Sequence, residues 1–177
     1  MPSHNLARVQ IDDLDILGYS VAGEETVVAM PQLDVCFDIG KAPDQVIAIN
    51  TVLLTHGHMD HSAGFAYYLS NRNFSGMSPG TIVAPVNLIL PMREIITSWG
   101  YLDGNKIPAK LVGVRPGDEH QIKPNLFARA FPTKHSPGSV GFCVLEKRKK
   151  LKPEYLQLTG PQIVELKKQG IQIDTPV

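Results

Sequence analysis

The sequence has almost no cysteine: two in 177 residues, Cys36 and Cys143. They lie far apart and form no Cys-x-x-Cys pair, which excludes a thiol-based metal or redox motif. Both sit inside apolar runs, so each reads as a reduced residue buried in the core. Net charge is lacking as well, with 17 basic against 17 acidic side chains. That excludes attraction of the whole molecule to a polyanion and leaves only local patches to consider. No apolar h-region opens the chain and no long charge-free apolar stretch occurs later, so the expectation is a soluble, cytoplasmic protein without a membrane segment. What is present suffices for a core. Hydrophobic residues make up 43% and charged residues 19%, the balance of a globular chain of one domain.

Alternation and turn signals predict a meander of short strands over 7–11, 16–22, 25–30 and 34–38. A short helix over 43–49 follows. Thr51-Val-Leu-Leu-Thr55 is compact, apolar and rich in β-branched residues, the pattern of a strand buried on both faces. Helical spacing then marks 63–70, and 81–84 reads as another buried strand. Residues 86–99 have a helical pattern with a break expected at Pro91. Further strands are predicted near 110–114, 120–122, 126–131 and 140–145. The tail over 153–170 is helical in spacing and closes on Gly170, as a helix C-terminus should. Strands, then alternating helix and strand, then strands again give an α/β (α+β) chain. Residues 1–145 hold the sheet, the helices and the candidate site, and 146–177 form a basic, arm-like segment.

Three of the six histidines fall in His56-Gly57-His58-Met59-Asp60-His61, directly after the buried strand. Residues two apart in extended chain point the same way, so His56 and His58 can converge on one ion. Asp60 and His61 come where the chain turns and can face a second ion. Imidazole with carboxylate suits zinc, or manganese or iron where carboxylates dominate. His135 is the next candidate, because it precedes Ser136-Pro137-Gly138-Ser139, a loop of small residues able to approach a ligand closely. His4 and His120 lack such company and read as exposed, uninvolved residues. Asp38 ends an apolar strand and can hold a ligand histidine by a hydrogen bond from behind.

These motifs together resemble the metallo-β-lactamase superfamily. Thr55-His-Gly-His-Met-Asp-His61 looks like its signature, Phe37-Asp38-Ile39-Gly40 like its preceding aspartate motif, and Lys134-His135-Ser136-Pro137-Gly138-Ser139-Val140-Gly141-Phe142 like the third motif of its ribonuclease Z branch. The resemblance implies an αββα sandwich, of which this chain covers about the first half. It further implies two zinc ions, one held by His56, His58 and His135 and the other by Asp60 and His61, with Asp60 also handling a proton. The implied reaction is hydrolysis of a phosphodiester by metal-activated water, as in removal of the 3′ end of precursor transfer RNA. A metal-bridging aspartate and a final histidine, which the family takes from its second half, have no counterpart here. Asp174, in Ile-Asp-Thr-Pro, is the last acidic residue. The expectation is therefore a truncated or proteolysed chain, or one completed by another polypeptide or a second copy, and a poor catalyst alone. Asp38-Ile-Gly-Lys also lacks the Gly-Glu-Gly-Thr continuation usual in transfer-RNA-processing members.

The one basic run, Glu146-Lys-Arg-Lys-Lys-Leu-Lys152, reads either as a solvated loop or as a phosphate-contacting patch of Lys147, Arg148, Lys149 and Lys150. Gly160-Pro161 and the helical pattern after it resemble the substrate-gripping arm of the ribonuclease Z branch. Two other functions stay open at this point: a thioester or lactone hydrolase of the same superfamily, and a non-catalytic half-domain that needs a second half.

Overall fold

A computed structural model describes residues 5–176, so His4 lies outside the described residues. The first four strands, β1 (Ala7–Ile11), β2 (Leu14–Val21), β3 (Glu25–Met30) and β4 (Val35–Phe37), form an antiparallel meander. Then β5 (Thr51–Leu53), β6 (Thr81–Pro85) and β7 (Lys110–Val114) add in parallel, giving a seven-stranded sheet in chain order. The parallel strands are joined by helices, as parallel pairing requires. These are α1 (Met59–Ser62) with α2 (Phe65–Phe74), and then α3 (Ile89–Asp103).

Neighbouring residues on the central strands supply two cores. Val52, Ile82 and Ala84 point toward the helices and meet Phe65, Tyr68, Leu69, Met92 and Ile96. Leu53 and Val83 point the other way and meet Ala128, Ala130 and Val140. Those three belong to β9 (Leu126–Pro132) and β10 (Val140–Glu146), which pair with β8 (Glu119–Lys123) in a separate antiparallel sheet. The layers are helix, sheet and sheet. The small second sheet covers part of the large sheet's second face, and each fully buried Leu or Val contributes about 1.5–3 kcal/mol.

Three local expectations are corrected. The helix expected over 43–49 is a single 3-10 turn at Asp44–Val46. No break occurs at Pro91: α3 runs through it, because Pro91 is the third residue of the helix, where the missing N–H has no intrahelical acceptor to lose. The irregularity comes earlier, as a 3-10 turn at Val86–Leu88. Cys36 is fully buried, whereas Cys143 on β10 is only half-buried.

The tail folds back on the basic run. After α4 (Gly160–Lys168), β12 (Asp174–Pro176) pairs antiparallel with β11 (Lys149–Leu151). The start of β5 is fixed from below by Arg72 on α2, which is buried and donates to the carbonyls of Ile47 and Ile49 at 2.6 and 3.1 Å. Among the described residues no helix is long and apolar enough to cross a membrane.

Candidate metal centre

The carboxyl ends of the parallel strands are where an open α/β sheet leaves a crevice, and the candidate residues gather there. Past Leu53, β5 continues extended into His56 and His58, and α1 then turns Asp60 and His61 back over the same place. His135 arrives from the loop between β9 and β10. That loop is closed by Thr133 Oγ1 donating to Ser139 Oγ at 2.9 Å, and anchored by the Val140 amide donating to the Thr55 carbonyl at 3.0 Å.

One ligand atom each from His56, His58 and His135 lies within 4.8 Å of the others. His135 Nε2 is 3.3 Å from His58 Nδ1, close to the separation of two nitrogens on one tetrahedral zinc at Zn–N of about 2.0–2.1 Å. The ring of His61 stands 4.1 Å from that of His56, centroid to centroid. Asp60 flanks it, with Oδ2 at 3.6 Å from His61 Nε2.

Asp38 organises this cluster from behind. It is buried, in the left-handed region at φ 53°, and both its oxygens are in use. Oδ1 accepts the Thr55 amide at 2.8 Å, and Thr55 Oγ1 lies 3.0 Å from each oxygen. Oδ2 accepts Nδ1–H of His61 at 2.7 Å. Thr55 Oγ1 is also 2.8 Å from His56 Nδ1. A hydroxyl has one proton to give. Donated to the carboxylate, it leaves His56 Nδ1 as the donor to Thr55, and the lone pair of His56 is then on Nε2. The same logic puts the lone pair of His61 on Nε2. One buried carboxylate sets two tautomers, one directly and one through a threonine.

Electrostatics follow the same layout. Burial pushes the Asp38 carboxyl up from its ordinary value, and the bonds from His61 and Thr55 oppose that shift. Burial, then the neighbouring imidazoles, depress His56 to about 4, so its ring is neutral near pH 7. The Gly23 amide donates to Asp60 Oδ2 at 2.9 Å and holds that carboxyl below its ordinary value.

The fit to a metal ion rests on one atom. His56 Nε2 is buried with no hydrogen-bond partner among the described residues, and it faces a cluster in which two further imidazoles converge. An unpaired buried nitrogen costs about 1–3 kcal/mol, and an ion removes that cost. The donor set of neutral imidazoles suits a zinc-like divalent ion.

The other candidates lie elsewhere. Lys147, Arg148, Lys149 and Lys150 follow β10, whose seven residues carry the chain about 20 Å from the His135 loop. Lys147 is ion-paired to Glu119 and stacked over the Phe127 ring, Arg148 pairs with Glu146 at 2.7 Å, and Lys150 is exposed. His120 is half-buried on β8, not exposed as expected, because that strand packs on β9; it takes no part in the cluster. Sequence reasoning missed Thr55 and the Gly23 amide. A hydroxyl at the junction of an apolar strand and a histidine motif was the available signal for the first. A backbone donor 37 residues from its acceptor leaves none for the second.

A helix-backed sheet with a histidine cluster at its carboxyl edge is the layout of the metallo-β-lactamase fold. Residues 15–152 match the family described as the Beta-lactamase superfamily domain. The fold alone is shared with the metallo-beta-lactamase fold protein YhfI of Bacillus subtilis, at TM-score 0.54 and 15% identity over 72% of this chain and 53% of that one. Sequence relatives are more specific. The chain is 32% identical to the nuclear ribonuclease Z of Triticum aestivum over 96% of its own length and 97% of the relative's. It is 34% identical to tRNase Z TRZ1 of Arabidopsis thaliana over 93% of its length, and spans 59% of that protein. The chain belongs to the ribonuclease Z branch of the β-lactamase superfamily.

Proposed function

We propose that this protein is a metal-dependent phosphodiesterase of the ribonuclease Z type, acting as an endonuclease at the 3′ end of precursor transfer RNA. The observation that carries the reading is the convergence of His56, His58 and His135 around the unpaired Nε2 of His56, in a chain related to ribonucleases Z along nearly its whole length. Zinc suits the three imidazoles, and manganese or iron suits a carboxylate-richer position at Asp60 and His61. Bound ions of this kind lower the pKa of water and offset charge on phosphoryl oxygens. The chain's own residues do the rest. His56 and His61 present lone pairs from tautomers held by Asp38, and Asp60 stays a carboxylate able to take up a proton.

The exposed side chains of Leu90, Ile95, Trp99 and Leu102 on α3 support contact with a second copy or with a polypeptide that completes the site. A stripe of large apolar groups in water favours such burial. Two free thiols suit a reducing compartment such as the cytoplasm.

The test uses the zinc-loaded protein, bis(p-nitrophenyl) phosphate and a precursor transfer RNA with a 3′ trailer. Wild type should cleave both slowly but above background, as a site short of two family ligands allows, and Asp60→Ala should cleave neither above background. Unchanged rates in Asp60→Ala overturn the role of Asp60. Cleavage of thioesters with no phosphodiesterase activity overturns the substrate class.

A further inference from the structure

The two histidine loops come from segments 77 residues apart, and the bond from the Val140 amide to the Thr55 carbonyl joins them at their base. Nearer their tips, they lie against neighbouring residues of one turn. The turn Val86–Leu88 follows the buried strand β6 and leads into α3. Leu88 packs into the helix-side core. It also closes on Gly57, the residue between His56 and His58, where a Cβ would stand 3.2 Å from Leu88 Cδ2. Asn87, next to it, closes on Gly138, three residues after His135. A Cβ there would stand 2.7 Å from Asn87 Oδ1 and 3.1 Å from Nδ2, and Gly138 has φ +77°. A third glycine backs the turn: at Gly113 on β7 a Cβ would stand 3.3 Å from the Val86 Cα and 3.1 Å from Ile89 Cγ1. Three chain segments thus give up their side chains around one turn. Held by β7 from behind and by the core through Leu88, the turn cannot recede from either histidine loop without disturbing packed neighbours.

We propose that the Val86–Leu88 turn is a spacer that sets the gap between the His56–His58 loop and the His135 loop, with Asn87 and Leu88 as positioning residues for an ion held by the three histidines. This rests on the metal-site reading above. An ion tolerates little error in ligand placement, and groups that merely orient ligands typically change affinity by about 10–100-fold when removed. Asn87 is exposed, so shortening it frees the His135 loop at little cost to folding. Leu88 acts through its Cδ atoms, which valine lacks.

The experiment measures Zn²⁺ affinity by competition with a chromophoric chelator, Co²⁺ binding by visible absorption, and melting temperature in chelator. The proteins are wild type, His58→Ala, Asn87→Ala, Gly57→Ala and Gly57→Ala/Leu88→Val. Asn87→Ala should bind Zn²⁺ on the order of tenfold more weakly and show an altered Co²⁺ spectrum, with the melting temperature in chelator unchanged. Gly57→Ala should also weaken binding, and adding Leu88→Val should restore it, which a purely structural role for Leu88 does not produce. Binding lost in His58→Ala but unchanged in Asn87→Ala, or a Gly57→Ala defect that Leu88→Val leaves in place, overturns the spacer and spares the metal reading. No Zn²⁺ or Co²⁺ binding by wild type, or wild-type binding by His58→Ala, overturns the metal reading and the spacer with it.

Discussion

Gly23, at the tip of the β2–β3 hairpin, donates its backbone amide to Oδ2 of Asp60 at 2.9 Å. The contact ties a hairpin end of the large sheet to the carboxylate proposed to handle a proton. Gly23 has φ +74° and open space around its Cβ direction, so the position asks for left-handed backbone rather than for a small residue. Gly23→Asn keeps the amide and tolerates that φ, and should retain most activity. Gly23→Pro removes the N–H and cannot adopt the conformation. It should lower turnover of bis(p-nitrophenyl) phosphate by about tenfold or more while leaving KM within twofold, as expected when a transition-state interaction is lost. Equal kcat values for the two variants count against a role for the amide.

Thr55 relays the hold of Asp38 to His56. Thr55→Val keeps the shape and removes the hydroxyl, leaving His56 Nδ1 without its acceptor and Asp38 with one donor fewer. Zn²⁺ affinity should fall by about 10–100-fold, and stability in chelator by about 1–3 kcal/mol, the cost of an unsatisfied buried polar group. Thr55→Ser should keep both. Competition titration and chemical denaturation of the three proteins decide it; wild-type affinity in Thr55→Val removes the relay.

Much of this layout is legible in the sequence because its signals are local. Four potential ligands fall within 56–61, and the run before them is apolar enough to mark a buried strand, whose ends at Thr51 and Leu53 are buried as the run suggests. The β1, β3 and β7 boundaries follow from alternation and turn residues in the same way. Non-local facts are not written there. Alternation shows that 126–131 and 140–145 are strands, but not that they leave the large sheet and cover its second face, since period two is the same in either sheet. The Asn87–Gly138 and Gly23–Asp60 contacts are likewise products of the fold. The break expected at Pro91 failed because the helix start could not be placed to within the three residues that decide whether a proline is tolerated.

The basic run divides once its partners are known. Lys147 is committed to Glu119 and to the Phe127 ring, whereas Lys150 is exposed. A lysine that contacts phosphate contributes about one unit to the salt dependence of binding. Lys150→Ala should therefore weaken RNA binding and flatten the plot of log affinity against log salt by about one, with no change in hydrolysis of bis(p-nitrophenyl) phosphate. Lys147→Ala should lower the melting temperature and leave the salt slope as it was. The opposite assignment, with the slope moved by Lys147 alone, would show that its pairing with Glu119 gives way to RNA.

Acid should destabilise the metal-free protein through His56 before most carboxylates titrate. Burial and the surrounding imidazoles depress this ring from 6.5 to about 4 in the folded chain. The unfolded chain returns it to its ordinary value, so between those two pH values the unfolded state binds more protons. Stability then rises with pH across that interval. The contribution is fully present above about pH 6.5, and declines as pH falls until the folded ring also charges near 4. Melting temperatures in chelator from pH 7.5 to 4 should drop through this window. His56→Asn has no titrating ring and should show a shallower decline over the same range. An ion on Nε2 competes with the same proton, so saturating Zn²⁺ should move the wild-type decline to lower pH and leave the His56→Asn curve less affected. Parallel melting curves for wild type and variant throughout the window would mean that His56 is not held neutral by its surroundings, and that protons compete for this ligand already near pH 6.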